Sequence, residues 1–371
     1  MAAMEKNNKN LNVPNLRFPK FSGEWERFRN CTLFRVISEK NKNYEFSTVL
    51  SASQTEGMVL RDSLGIDIKF EEDSIKTYKI VRNGDYVAHL RSFQGGFAFS
   101  DKTGVCSPAY TILRPSETIS YGFLKPYFMS RKFIDSLRIV TYGIRDGKSI
   151  SVEEWLKLYT CIPKKNEQQK ISKFLRLIDN RIETQKKIIE DLKKLKDAIS
   201  KLLFRHRVGN EYSIGELCKS IAVKQYISID VAIDGTYPII QQGESPVAGY
   251  TESAPFFDYE KVVLFGDHTL SIYRPNVPFL LSTDGIKILR PNDLVLRDYL
   301  YYLLYAFMPK SEGYKRHYSI LKDICVPVPD IDTQKSIVEE LLSVDSKIEI
   351  EARFLELQIQ QKEYLLNQMF I

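Results

Sequence analysis

The chain has few of the residue patterns that mark secreted or membrane proteins. Its five cysteines are widely spaced among 371 residues and form no Cys-x-x-Cys pair, which argues against a disulfide framework or a structural zinc site. No run approaches 18 apolar residues, so no transmembrane helix is expected. The Lys- and Asn-rich opening lacks the apolar core of a signal peptide. We therefore expect a cytoplasmic protein.

Patterns for catalysis are missing as well. The chain contains no Pro-Pro, which the Asn/Asp-Pro-Pro-aromatic loop of an adenine methyltransferase would need. Residues 143–149 resemble a phosphate loop but are one residue short of G-x-x-x-x-G-K-S. The four histidines form no metal-ligand cluster. We therefore expect no catalytic residue, no metal and no cofactor in this chain.

What the chain does contain is an internal duplication. Matching segments keep their order along the two halves of the chain at similar offsets, and a colinear series of this kind is not expected by chance. The pairs are Gly84-Asp85 with Gly266-Asp267, residues 107–115 with 283–291, Cys161-Ile162-Pro163 with Cys325-Val326-Pro327, and Gln169-Lys170 with Gln334-Lys335.

The duplication divides the chain into two globular domains and two long helices. In the domains, β-branched and aromatic segments such as Thr77–Ala88 and Lys261–Phe265 lie between Gly, Pro, Asn and Asp clusters, which predicts short strands. We expect an α+β fold. The predicted order is a first domain (1–163), a first helix (164–207), a second domain (208–329) and a second helix (330–371).

Both helices show an apolar seam. Apolar residues recur at steps of three and four over about forty residues, which is typical of a coiled coil and corresponds to a rod of roughly 60 Å. The second seam contains a doubled step of four between Val344 and Ala352, a local break in phase. The predicted seam residues are Ile171, Leu175, Ile178, Ile182, Gln185, Ile189, Leu192, Lys196, Ile199 and Leu203 in the first helix, and Ile337, Leu341, Val344, Ile348, Ala352, Leu355, Ile359, Lys362, Leu366 and Met369 in the second.

The two helices carry opposite charge. Residues 164–207 contain fourteen Lys/Arg and six Asp/Glu, net +8, whereas residues 330–371 contain four and nine, net −5. Because flanking charges select the partner and its orientation in coiled coils, we expect the helices to pair within one chain. The pair is antiparallel if the second domain lies at one end and the first domain at the other.

Three motifs in this arrangement carry a family resemblance. The opening from Pro14 to Trp25, and Ile162-Pro163 followed by Glu167-Gln168-Gln169-Lys170-Ile171, are similar to the start and to the central helix signature of type I restriction–modification specificity subunits. The second copy departs from that signature, since Asp332-Thr333-Gln334 replaces Glu-Gln, although Pro327 and Pro329 are kept. The resemblance covers essentially the whole chain.

The resemblance implies a non-catalytic DNA-recognition subunit. Its two target-recognition domains, held apart by an intramolecular antiparallel coiled coil, would each read one half of a split site on double-stranded DNA. The partners implied are methyltransferase subunits, two of them expected, which flip and N6-methylate adenine, and ATP-driven restriction subunits. S-adenosylmethionine, ATP and Mg would belong to those partners.

Recognition of base edges requires side chains such as Arg, Asn and Gln on exposed loops. Cationic side chains and backbone amides hold the DNA by its phosphates. Two Gly-containing basic loops, at 142–150 and 313–320, occupy equivalent places shortly before the Cys-x-Pro element of each copy. The candidate DNA contacts are Arg91, Gln94, Tyr142, Arg145 and Lys148 in the first domain, and Gln241, Gln242, Arg274, Tyr314, Lys315 and Arg316 in the second.

The charge of the second domain counts against strong DNA binding. The first domain is net +6, with 24 basic and 18 acidic residues, and the second is net −3, with 11 and 14. An acidic domain must gather its few cations on one face or take phosphate contacts from partners, so we expect weak, salt-sensitive binding by the isolated chain. The alternatives are a coiled-coil scaffold that presents two protein-interaction domains without a DNA role, and an enzyme of unfamiliar type.

Overall fold

The structure, a computed structural model, describes residues 12–53, 56–64, 72–89, 96–142, 149–205, 209–228, 230–311, 313 and 315–371. The chain forms two compact units: unit one comprises Met1–Thr184 and Leu355–Ile371, and unit two comprises Gln185–Phe354. Each unit combines a globular part of short strands and helices with segments of two long helices. The predicted α+β class is confirmed.

The globular part of unit one precedes the first long helix. Its main sheet has the strand order β2-β9-β6-β7, and β1 with β12, β3 with β4, β5 with β8, and β10 with β11 form two-stranded sheets. The elements are β1 (Glu26–Arg29), α1 (Asn30–Leu33), β2 (Phe34–Ile37), β3 (Leu50–Ser53), β4 (Gly57–Leu60), β5 (Lys79–Val81), β6 (Tyr86–Ala88), β7 (Phe97–Phe99), β8 (Gly104–Cys106), β9 (Thr111–Pro115), α2 (Lys125–Phe128), α3 (Arg131–Ser136), β10 (Thr141–Tyr142), β11 (Ser149–Ile150), α4 (Val152–Lys157), β12 (Tyr159–Ile162) and the long α5 (Lys165–Arg205).

The globular part of unit two lies between the long helices in sequence. Its main sheet has the order β14-β20-β17-β18, a second sheet has the order β16-β15-β19, and β13 pairs with β21. The elements are β13 (Asn210–Ser213), α6 (Ile214–Leu217), β14 (Cys218–Ile221), β15 (Tyr237–Ile240), β16 (Val247–Thr251), β17 (Val263–Gly266), β18 (Ile272–Tyr273), β19 (Leu280–Leu281), β20 (Ile286–Pro291), α7 (Arg297–Ala306), α8 (Tyr318–Leu321), β21 (Cys325–Val328) and the long α9 (Ile331–Met369).

The same order of elements recurs in the two units. In unit one the antiparallel pair of β1 and β12 leads through α1 into the sheet β2-β9-β6-β7, and in unit two the pair of β13 and β21 leads through α6 into the sheet β14-β20-β17-β18. The strands of both four-stranded sheets are antiparallel to their neighbours. The predicted internal repeat is therefore a repeat of the fold.

Strand pairing corrects the register of this repeat. Ile162 and Val328 each lie opposite the first residue of the preceding strand, β1 and β13 respectively. They are therefore equivalent positions of the repeat, and we call the difference between their residue numbers the helix offset. Cys161 consequently corresponds to Pro327, and its expected match with Cys325 is wrong by two positions. Equivalent residues of the repeat are those with equivalent partners on the paired strand. The Cys-x-Pro pattern carries no information about these partners.

A buried glutamine fastens each long helix to its own globular part. Gln168 and Gln334, which are related by the helix offset, are fully buried, and each donates two hydrogen bonds from Nε2 to backbone carbonyls and accepts one at Oε1 from a backbone N–H. Gln168 donates to the carbonyls of Pro163 (2.8 Å) and Thr118 (3.0 Å) and accepts from the N–H of Ser120 (2.7 Å). Gln334 donates to the carbonyls of Pro329 (3.0 Å) and Leu294 (2.8 Å) and accepts from the N–H of Leu296 (3.0 Å). The first turn of each helix is therefore held at one fixed place on its globular part.

The long helices α5 and α9 pair in antiparallel fashion. In unit one, Asp179 of α5 binds Lys362 of α9 at 2.6 Å, and in unit two, Lys196 of α5 binds Asp345 of α9, also at 2.6 Å. Partner numbers fall along α9 as they rise along α5, so the pairing that the charge pattern predicted is antiparallel. The helix offset relates the two ion pairs, with the cation and the anion exchanged between the helices.

The seam on α5 follows the sequence pattern, whereas the seam on α9 departs from it. The ten seam positions of α5 are buried or half-buried. On α9, Ala352 is exposed and Ile359 is 38% exposed, while Glu351 is half-buried and Gln358 is only 5% exposed. The seam there runs through 348, 351, 355, 358 and 362, so the helix keeps regular steps of three and four without a break in phase. The remaining predicted α9 positions are buried or half-buried, namely Ile337, Leu341, Val344, Ile348, Leu355, Lys362, Leu366 and Met369.

The end of α9 enters the aromatic core of unit one. The ring of Phe370 is 3% exposed and lies 6.2 Å from Trp25, 5.6 Å from Phe123 and 5.3 Å from Tyr127, measured between centroids. Aromatic packing of this kind is worth roughly 0.5–1.5 kcal/mol per pair beyond area burial. Unit one is therefore completed by residues that follow unit two in the sequence.

Candidate nucleic-acid interface

Several of the predicted DNA contacts fall outside the described residues. Arg91 and Gln94 lie in the 90–95 gap, Arg145 and Lys148 lie in the 143–148 gap, and Tyr314 is a single gap position. The 143–148 segment joins β10 to β11, which pair antiparallel, and Tyr142 is the last residue of β10. The basic segment of unit one therefore lies, in sequence, between two strands that pair with each other.

In unit two, candidate side chains from distant parts of the sequence meet. The carboxamide oxygen of Gln242 accepts a hydrogen bond from the backbone N–H of His268 at 3.0 Å, and the His268 ring lies 3.2 Å from the carbonyl of Lys315. Gln242 also lies against Gly285, where a Cβ would approach its amide to 2.3 Å and force it to move. The sheet thus assembles what we call the loop cluster, residues 241–243, 266–271, 283–285 and 315–317.

A buried aspartate supports this cluster. Asp267, 1% exposed, accepts the backbone N–H of Tyr318 at 2.7 Å, and its carbonyl accepts the backbone N–H of the buried His317 at 2.9 Å. The expected match of Gly266-Asp267 with Gly84-Asp85 is wrong, because strand pairing makes Tyr86 equivalent to Val263, so that Asp85 precedes its strand and Asp267 follows the equivalent one. Asp85 instead receives two guanidinium nitrogens of Arg114, at 2.9 and 3.0 Å. The Gly-Asp dipeptide therefore gave no valid signal for Asp267, and the role of Asp267 in holding the basic loop follows only from its contacts.

The loop cluster gathers cations of an otherwise acidic domain. Arg316 lies 3.5 Å from Asp284, with both side chains more than half exposed, and Lys287 lies 3.8 Å from Asp267. Lys315 is exposed beside them. Exposed pairs of this kind contribute little to stability, so Arg316 can exchange its carboxylate for a phosphate or a base edge.

The other two candidates have different surroundings. Gln241 donates from Nε2 to the carbonyl of Ser245 at 3.0 Å, within its own turn. Arg274, 23% exposed at its side chain, lies 3.5 Å from Asp298 and covers the Tyr301 ring at 5.0 Å. Arg274 is therefore engaged with α7 and is not part of the loop cluster.

The hydroxyl of Tyr318 keeps its proton at neutral pH. Burial raises the pKa of Tyr318 to about 12, and nearby Cys218 and Asp267 act in the same direction.

Within the described ranges, no three His, Cys, Asp or Glu side chains form a group that could hold a metal ion. None of the helices in these ranges has the length and apolar character of a membrane-spanning helix.

The paired helices also carry exposed apolar residues outside their seam, which we call the second apolar stripe. Its residues are 40–65% exposed, and three on each helix recur at heptad spacing, namely Ile188, Leu195 and Leu202 on α5 and Ile350, Leu357 and Tyr364 on α9. An exposed apolar stripe of this length on a helix is typical of a protein-binding surface. Its residues are Leu177, Ile188, Leu195 and Leu202 on α5 and Ile350, Phe354, Leu357 and Tyr364 on α9.

Similar folds occur among solved proteins. A chain described as the S subunit of a type I restriction–modification system from M. genitalium matches with a TM-score of 0.56 at 16% identity, covering 97% of this chain and 99% of that one. A chain from a structure of type I restriction–modification complex assembly and conformational transition matches with a TM-score of 0.58, also at 16% identity, covering 95% and 98%. At this identity the matches establish the fold.

Sequence comparison adds a similarity to one family of proteins. Residues 209–361 match the model for the type I restriction modification DNA specificity domain. The specificity subunit of the type I restriction enzyme MjaVIII of Methanocaldococcus jannaschii is 25% identical over 95% of this chain and 92% of its own length, and the putative MjaX specificity subunit of the same organism is 27% identical over 59% and 60%. The duplicated fold, the paired helices and these matches agree: the chain is similar over nearly its whole length to specificity subunits of type I restriction enzymes.

Proposed function

We propose that this chain is the DNA-recognition subunit of a type I restriction–modification complex and is itself non-catalytic. Each globular domain reads one half of a bipartite site, and partner subunits methylate adenine or cleave. The duplicated architecture carries the proposal, because two equivalent domains on one helical pair match two half-sites on one duplex. S-adenosylmethionine, ATP and Mg are assigned to the partner subunits.

For the second domain we assign DNA contact to the loop cluster. Arg316 is a forked donor suited to base edges, Gln242 can donate from Nε2 while its Oε1 accepts from His268, and Lys315 is placed to hold a phosphate. Lys287, Lys315 and Arg316 bring cations to this cluster, but Asp267 and Asp284 beside them offset two of these charges, so we expect partner subunits to add phosphate contacts. For the first domain we assign DNA contact to the segments 143–148 and 90–95, which lie outside the described residues.

The second apolar stripe of the helices is assigned to partner subunits. Helices that dock on α5 and α9 would cover side chains such as Leu195 and Phe354, now half or nearly half exposed. Since the stripe occurs on both helices, two methyltransferase subunits fit better than one, and restriction subunits join through them. We place the complex in the cytoplasm, in keeping with five free cysteines.

Domain exchange tests the proposal. The chain is co-expressed with the methyltransferase subunits of its system, residues 209–328 are replaced by those of a relative, and the methylated motif is read by methylome sequencing. One half of the motif is expected to change while the other is retained. A change in both halves, or in neither, contradicts modular recognition.

The same complex separates recognition from a scaffold role. Random duplex pools are selected with the native complex, with Arg316→Ala in the loop cluster, and with Lys322→Ala as an exposed control outside it. Enrichment of one motif by the native and control complexes, weakened by Arg316→Ala, supports the proposal. Absence of any enriched sequence favours the scaffold.

A further inference from the structure

A lysine of α5 lies in an aromatic and acidic environment within unit two. The Lys196 side chain is only 9% exposed, and its Nζ is 2.6 Å from Oδ1 of Asp345. The same ammonium faces three tyrosine rings of α7, those of Tyr301, Tyr302 and Tyr305, at 5.9, 5.4 and 4.6 Å from their centroids. A buried cation over several rings gains both Coulomb and cation–π attraction.

Directional hydrogen bonds close this cluster. The hydroxyl of Tyr302 donates to Oδ2 of Asp345 at 2.6 Å, and the hydroxyl of Tyr305 donates to Asp197 of α5. Burial and the adjacent carboxylates raise the pKa of both phenols, so both hydroxyls carry their protons as donors. Helix α7 is thereby tied to both long helices by partly buried polar bonds with fixed geometry.

Unit one has the ion pair without the aromatic surroundings. Lys362 and Asp179 are related to Lys196 and Asp345 by the helix offset, and they are 23% and 42% exposed. In the described part of the chain, no aromatic ring faces Lys362. The duplication therefore explains the ion pair but not the tyrosines.

The positions equivalent to the tyrosines confirm this difference. The sheets place Pro115 and Pro291 in equivalent positions, each opposite the first residue of its neighbouring strand. We subtract the difference between the residue numbers of these two prolines from the numbers of the three tyrosines. The equivalent residues of unit one are then Lys125, Pro126 and Met129. The cluster belongs to the second domain alone.

We propose that Lys196 and its tyrosines form a positioning site that fixes the second domain on the helical pair and so sets the accepted spacing between the two half-sites. This inference rests on the proposed function. Buried charge pairs often add little net stability but require one geometry, and networks of this kind rigidify their surroundings. Lys196 would thus determine DNA specificity without touching DNA.

The test uses the assembled methyltransferase complex and duplexes that carry both half-sites with spacers shortened or lengthened by one and two base pairs. Lys196→Met removes the charge and keeps the aliphatic stem, Lys196→Arg keeps the charge and the aromatic contact, and Lys362→Met is the matched control. For Lys196→Met we expect both half-site sequences to be retained, while the preference for the native spacer falls by roughly tenfold, equivalent to about 1.4 kcal/mol. Lys196→Arg should restore most of that preference, and Lys362→Met should change it far less.

Tyr302→Phe is a milder variant that removes one hydroxyl and keeps the ring, so it applies even if Lys196→Met does not assemble; a broadened spacer profile is expected from it too. An unchanged profile for an assembled Lys196→Met or Tyr302→Phe complex, or an equal loss from Lys362→Met, overturns the inference and leaves the proposed function intact. A native complex that methylates none of the duplexes refutes the proposed function itself and the inference with it.

Discussion

Gln358 gives a sharp prediction about the helical seam, because its polar group is buried without compensation. The side chain is 5% exposed, and within the described residues neither Oε1 nor Nε2 has a hydrogen-bond partner. Leaving a buried polar group unpaired costs about 1–3 kcal/mol. Replacing it by leucine removes that cost and adds apolar burial, so Gln358→Leu should stabilise unit one by about 2 kcal/mol.

The repeat supports the fit of that leucine and supplies a control. Leu192 occupies the position on α5 that the helix offset relates to Gln358, and it is half-buried. Gln185 is the contrasting seam glutamine, since its Nε2 donates to both the carbonyl (3.2 Å) and the carboxylate of Glu351. Gln185→Leu should therefore destabilise by about 1 kcal/mol, the usual worth of a lost hydrogen bond.

Thermal unfolding of the full chain measures both variants. For a unit of about 200 residues, each kcal/mol shifts Tm by about 2–4 °C, so Gln358→Leu should raise the melting temperature of unit one by roughly 4–8 °C. Gln185→Leu should lower the melting temperature. A Gln358→Leu protein that melts at or below the native temperature would show that the amide is satisfied, and the reasoning about the seam would fail.

Three further outcomes are expected. Gln334→Ala should destabilise unit two by roughly 2–4 kcal/mol in urea titrations, because three buried hydrogen bonds are lost, and a loss below about 1 kcal/mol would deny its anchoring role. Arg316→Ala in the methyltransferase complex should relax one base position if the guanidinium reads guanine, or flatten the salt dependence of binding by about one unit if it holds a phosphate; unchanged motif and slope would remove it from the interface. Thiol reagents should modify exposed Cys325 rapidly but spare Cys106 and Cys218, since burial raises the pKa of both thiols to about 12, and equal rates would contradict that burial.

The helices could be predicted from sequence because their order is local. The α5 seam needed only a periodic count of apolar residues. On α9 the same count went wrong where Ala352 and Ile359 are apolar but exposed, while Glu351 and Gln358 lie on the seam. When two helices pack continuously, residues at alternating steps of three and four lie on the seam whether they are apolar or polar. Regular spacing was therefore a better guide to the α9 seam than hydrophobicity.

The loop cluster could not be assembled from sequence in the same way. Gln242, His268, Gly285 and Lys315 come from four loops, and their proximity depends on the strand order β14-β20-β17-β18 and on the bonds to Asp267. Non-local pairing of this kind leaves no periodic trace. Nor could the sequence show that Arg274, whose side chain is suited to DNA contact, binds residues of α7 instead.

The burial of Phe370 in the core of unit one has a consequence for how the protein is made. A ribosome that adds about 5–20 residues per second delivers residues 355–371 roughly 10–40 s after Thr184, when all of unit two has already emerged. The unit that is synthesised first therefore has to wait, without its closing aromatic residue, while the contiguous unit two can fold at once. A chain stopped at Phe354 should accordingly lose protease resistance in residues 12–184 and keep it in 209–328, and resistance in both regions would show that the closing segment is dispensable.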